Sequence, residues 1–175
     1  MTNSFSLTFH PDHPPLDVTS IGVECRHEGE RWHFRYLVEG AARLVLPDRA
    51  EPGRADDLWQ TTCFEAFVGG EGLTYREYNF APSGEWAAYA FDSSREGMRN
   101  ADHQAEVWLD GGEDWIAVEA AVSGTFAPGS PLNLTAVIEE QGGHKSYWAL
   151  AHPAGPPDFH NRDCFIAHLP PVTAP

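Results

Sequence analysis

Three side chains able to hold a polar ligand fall close together in the chain. They are Glu65 in TTCFEAFV, and Glu77 and Asn79 in YREYNF. In extended backbone alternate residues share a face. Glu77 and Asn79 then point one way with Tyr75, while Tyr78 and Phe80 point the other. In the preceding run Glu65 shares a face with Cys63 and Phe67, opposite Phe64, Ala66 and Val68. The polar face has two readings: the solvated outside of a sheet, or a concave floor that hydrogen-bonds ligand hydroxyls. A solvated outer face is the commoner fate, but Cys63, Phe67 and Tyr75 would be out of place on a fully wet one, so the pattern alone leaves the two readings near parity. Two carboxylates on neighbouring strands also suit glycoside hydrolysis, which needs a separation of roughly 5–10 Å. Any sheet offers that spacing by chance, so binding ranks above hydrolysis.

Sugars are held by stacking their C–H faces on aromatic rings, which requires exposed tryptophan. The chain has 6 Trp among its 175 residues. Trp32, Trp108 and Trp115 sit in regular alternating runs and read as core. Trp86 fits either role. Trp59 begins a strand after an acidic loop and Trp148 precedes a Pro-rich one, so both suit the mouth of a pocket, where loops carry function.

The elements that must position these residues are strands. Val18–Arg26 and Arg31–Glu39 alternate around a Glu-Gly-Glu turn, with Trp32, Phe34, Tyr36 and Val38 on one side. Further strands are expected at 5–9, 42–46, 62–68, 73–80, 84–91, 104–110, 114–122, 132–140, 145–152 and 164–169, punctuated by Gly, Pro and Asp. No run carries a helical apolar period with caps. About ten short strands at this spacing predict an all-β protein, a two-sheet antiparallel β-sandwich of jelly-roll type. A single domain over 1–175, with its core at about 18–169, is expected from the length and the absence of a linker.

A net charge of −15 without a basic patch speaks against nucleic acid and against anionic membrane surfaces. No apolar run is long enough for a spanning helix, and no secretory leader is visible. Cys25, Cys63 and Cys164 follow no motif spacing and read as reduced, buried thiols of a cytoplasmic protein. His152, Asp158, His160 and Asp163 form a His/Asp cluster that either binds a metal or, with better support, orders a loop through Asx turns. Asp56-Asp57 could contribute to a Ca²⁺ site or be solvated.

LWQTTCFEAFVGG, YREYNFAPSGEWAAYAF, REGM and KSYWALAHPAGPPDFHNRDCF together resemble the bacterial DOMON-like proteins, which are similar to family 9 carbohydrate-binding modules. The resemblance runs from about Val18 to Leu169 and implies a β-sandwich that binds a small ligand, a saccharide first, without transforming it. It implies that Trp59 and Trp148 sandwich a sugar ring while Glu65, Arg76, Glu77 and Asn79 hold its hydroxyls. Arg76 departs from the pattern. The relatives' Arg and Asn lie two apart, whereas Arg76 and Asn79 lie three apart and face opposite sides unless a bulge intervenes. Haem is the alternative ligand that the resemblance implies, with Met98 and a histidine as axial groups. A glycoside-acting enzyme using Glu65 is the second alternative.

Overall fold

In the computed structural model, which describes residues 2–127 and 129–171, regular alternation sets the first sheet. In β4 (Arg31–Glu39), Trp32, Phe34, Tyr36 and Val38 are buried and the residues between them are not. β4 lies between β3 (Ser20–Glu28) and β11 (Trp115–Ser123). β1 (Thr2–Ser6) and β10 (Gln104–Gly111) complete the antiparallel order β1-β3-β4-β11-β10. The second sheet runs through β2 (Thr8–Phe9), β13 (His144–Ala149), β12 (Pro131–Glu140), β6 (Cys63–Gly69), β7 (Tyr75–Phe80), β8 (Glu85–Phe91) and β5 (Gly53–Arg54). β14 (Ala167–His168) pairs with β12, and β9 (Arg99–Asn100) with β8. Every pairing but β5–β8 is antiparallel. The fold is therefore the all-β, two-sheet sandwich that the alternation predicts.

The sheets meet through aromatic residues. Phe34 stacks on Phe80 with ring centroids 5.9 Å apart, and Tyr36 lies 5.1 Å from Phe64. The hydroxyl of Tyr36 crosses the core and donates to the backbone carbonyl of Glu65 at 2.6 Å. A buried phenol finds its partner this way, and the bond pins β6 to the opposite sheet directly beneath a candidate site residue.

Four expectations are corrected. The run at 42–46 forms no strand, because only Leu44 makes a bridge, to Glu140. The first strand divides at Leu7: β1 pairs with β3 in one sheet and β2 with β13 in the other. The run at 164–169 begins as a 3₁₀ turn over Arg162–Cys164 and becomes strand only at β14. Trp108 and Trp115 are not core but 48% and 37% exposed. In β10 the inward positions belong to Ala105 and Val107, so Trp108, one residue out of phase, faces away from the core.

One buried carboxylate organises the N-terminal segment. Glu140, at the end of β12, is fully buried and accepts the backbone N–H groups of Leu16 and Asp17 at 2.7 Å each and of Val18 at 3.3 Å. Charge-assisted bonds of this kind are stronger than neutral ones. Glu140→Ala leaves these donors unanswered and is expected to lower unfolding stability by about 2–4 kcal/mol. Urea denaturation measures the loss, and an unchanged midpoint contradicts the clamp.

Candidate functional site

The outward face of the larger sheet is not solvated. Every residue of β6 is buried, and so are all but one of β7. The segment from Leu150 to Ile166 folds over this face and brings Phe159 and His160 onto it, where Phe67, Tyr75, Phe91, Cys164 and Phe165 form a second apolar cluster. Beside that cluster the covering is incomplete and leaves a cleft of about 950 Å³. Glu65 and Glu77 line it, with Tyr89 from β8 and Tyr147 from β13. Trp59 enters from the 3₁₀ turn Leu58–Gln60, and Arg95 and Met98 from the loop after β8.

Glu65 pairs directly opposite Asn79, and Phe67 opposite Glu77. The two carboxylates are thus diagonal neighbours on one face. Thr135 donates its hydroxyl to Glu65 at 2.8 Å, and Asn79 donates its amide to Glu77 Oε1 at 3.0 Å. No lysine or arginine among the described residues pairs with either carboxylate, since Arg95 instead bridges Asp158 at 2.8 Å. Burial pushes Glu65 up to about 8, with the charge of Glu77 adding to the rise, and burial pushes Glu77 up to about 7. Oδ1 of Asn79 is buried without a partner among the described residues.

His160 completes the floor. Its Nδ1 lies 2.7 Å from the hydroxyl of Tyr75, and that hydroxyl accepts the backbone N–H of Arg95 at 3.1 Å. With that hydroxyl as the donor to Nδ1, the imidazole proton lies on Nε2. Nε2 faces Glu77 Oε2 at 3.6 Å, too far for a hydrogen bond in this state. Burial, then the charge of Arg95, lowers His160 to about 4, so a neutral ring stands beside the carboxylates. Phe67 and Phe91 meet it edge-on at 5.2 and 5.3 Å.

The loop that carries Arg95 is held in one shape. Arg95 has φ +60° and Gly97 φ +68°. A side chain at Gly97 would strike the carboxylate of Asp92. That carboxylate also takes Arg99 at 2.8 Å. A left-handed arginine is uncommon, and here it sets the N–H of Arg95 against Tyr75.

Of the six candidate residues, three line the cleft together: Trp59, Glu65 and Glu77. Trp59 is 53% exposed. Asn79 is buried behind the floor and positions Glu77. Arg76 does not reach this face. It pairs with Val68 on the opposite phase of β7, and its charge acts on Tyr78 and His103. No bulge rescues it, because the β6–β7 register is continuous from Phe64 to Gly69. Trp148 is corrected outright. It is 3% exposed, packs in the main core, and donates its indole N–H to Ser146 at 2.9 Å. The cleft receives its neighbour Tyr147, which pairs with the lining residue Val137. Alternation decides between two adjacent aromatics, and the parity of Val137 was the available signal.

His160, Tyr89, Arg95 and Tyr147 were missed as site residues. The His/Asp cluster is an ordered loop. Asp158 accepts the N–H of His160 at 3.2 Å, Asn161 that of Asp163 at 2.9 Å, and His152 bonds the carbonyl of Thr8 at 2.8 Å. Asp56 and Asp57 lie on the cleft rim, where Asp56 accepts the hydroxyl of Tyr89. No group of three or more His, Cys, Asp or Glu among the described residues could hold a metal ion.

The chain matches no protein-family model and no curated protein. Among solved structures it is similar to a candidate carbohydrate-binding protein from Bacteroides uniformis, with a TM-score of 0.61 over 94% of this chain and 83% of that one. The two chains share a fold. At 16% identity the likeness is one of architecture.

The raised carboxylates fix a sign. Ionising a buried carboxyl costs stability: with the folded value raised above the usual 4.5, the fold is most stable below 4.5 and loses stability progressively as pH rises from there through 7 to 8. Glu65→Gln keeps the shape and removes one ionisation. Its thermal midpoint is expected to gain on that of the unaltered protein by several degrees between pH 5 and pH 9. Parallel melting curves across that range contradict the buried-acid account.

Proposed function

We propose that the cleft binds a saccharide without transforming it. The observation that carries this reading is a half-exposed tryptophan, Trp59, at the edge of a cleft whose floor is Glu65 and Glu77. An indole offers a flat apolar surface to the C–H face of a sugar ring, and carboxyl oxygens at the floor take its hydroxyls. Tyr147 and Tyr89 supply further aromatic surface with polar tips. A cleft of about 950 Å³ suits a small ligand. The fold shared with a candidate carbohydrate-binding protein supports the same direction, as does the resemblance to DOMON-like proteins and family 9 carbohydrate-binding modules. Three free, buried cysteines fit a reducing compartment such as the cytoplasm.

Haem is the second reading, because Met98, His13 and His160 all line the same cleft. Against it, Nδ1 of His160 is taken by Tyr75 and Nε2 faces Glu77.

Sugars found on a glycan array are then titrated by calorimetry against three variants. Trp59→Ala is expected to weaken binding at least about tenfold, or about 1.4 kcal/mol, with folding intact. Tyr147→Ala is expected to act likewise. Trp148→Ala is expected to cost about 3–5 kcal/mol of stability instead, as a buried core truncation does. An array without hits, or Trp59→Ala binding as tightly as the unaltered protein, contradicts the reading. A Soret band on adding haem, lost in Met98→Ala, favours the second.

A further inference from the structure

We propose that the saccharide bound in this cleft carries a protonated amine, so that the site selects an amino sugar over its neutral and N-acetylated counterparts. The inference rests on the saccharide reading above and names the chemistry of its ligand.

Three observations meet at the floor. The first is an unmatched pair of acids. Glu65 and Glu77 are both more than nine-tenths buried and both line the cleft, yet neither has a cationic partner among the described residues. Burying like charges side by side without a counter-ion is costly, and an ammonium group supplies that counter-ion. The second is an open acceptor. Thr135 occupies Oε2 of Glu65, whereas Oε1 takes no hydrogen bond among the described residues and is not sealed from the cleft. The third is the surrounding aromatic surface. Trp59, Tyr89, Phe91 and Tyr147 line the same space, and aromatic faces attract a cation once it is stripped of water. The formal charge of −15 also draws cations towards the protein.

The groups that face the two carboxylates leave room for that charge. Arg95 reaches them from the loop after β8 but is spent on Asp158. His160, from the covering segment, is held neutral. Cys63 lies beside Glu65 on β6 as a buried thiol. At the rim Asp56, tied to Tyr89, and Asp57 stand opposite in sign to Arg99, which is bridged to Asp92, and His13 lines the same cleft. Before a ligand binds, the acids avoid their mutual repulsion by holding protons. An arriving ammonium replaces a proton, so binding releases one into solvent.

The test uses the whole protein and three matched disaccharides: one of glucosamine, one of N-acetylglucosamine and one of glucose. Calorimetry at pH 6, in two buffers of different ionisation enthalpy, reads both affinity and proton release. The glucosamine disaccharide is expected to bind at least about tenfold tighter than the other two and to release about one proton. In Glu65→Gln and Glu77→Gln that preference should fall to about unity, while Trp59→Ala should weaken all three sugars alike. Equal affinity for the three disaccharides overturns the inference and leaves the saccharide reading standing. Binding of none of them, with neutral sugars also absent from the array hits, overturns both. A preference that persists in both glutamine variants, or amine binding without proton release, removes these carboxylates as its cause.

Discussion

Two like-charged acids buried side by side set the terms for everything around them. Glu65 and Glu77 occupy diagonal positions on β6 and β7, on a face that the segment 150–166 closes over. Without a basic partner the pair avoids ionisation by rising towards neutrality. The neighbours fit that state. Thr135 and Asn79 each give one hydrogen bond, and His160 is a neutral ring whose Nε2 faces Glu77. Tyr36 fixes the strand from below through the carbonyl of Glu65 itself. Such an arrangement costs stability, and costs of this kind persist where a protein needs a reactive or recognising group.

The same sheet shows how position converts sequence into chemistry. β6 and β7 are buried on both faces, one against the aromatic core and one beneath the covering segment. Their inner residues hold the sandwich together, and their outer residues shape the cleft. Trp59 reaches the rim from a 3₁₀ turn with no buried residue of its own, so its indole adds little to the core and is free to meet a ligand. Trp148 is the opposite case, a tryptophan whose every surface is used by packing.

Much of the architecture was legible in the sequence because β-alternation leaves a direct trace. The strands around Trp32–Val38, Phe64–Val68 and Tyr75–Phe80 have the inward and outward faces that their patterns predict. The lining of the cleft was legible only where a strand's own alternation carries it, as for Glu65 on β6 and Glu77 on β7. Tyr147 and Trp148 could not be told apart by type, since each is an aromatic in a strand, and only the register against Val137 separates them. His160 and Arg95 come from loops whose contact with Tyr75 is tertiary, which no local pattern encodes. Trp108 and Trp115 sit in alternating runs too, but on the outward phase: the inward positions belong to Ala105 and Val107 in β10 and to Ile116 and Val118 in β11. Glu140 was unremarkable in a run of two glutamates until the N-terminal backbone closed around it.

Nuclear magnetic resonance of the labelled protein, titrated with a mixture of glucose- and glucosamine-based oligosaccharides, reads ligand binding at this cleft residue by residue. Saturable shifts are expected for the Trp59 indole N–H, the His160 ring and backbone amides near Glu65 and Tyr147, with the Trp108 and Trp115 indoles unmoved. Shifts confined to the Trp108 and Trp115 face, or none at millimolar sugar, would contradict binding at this cleft.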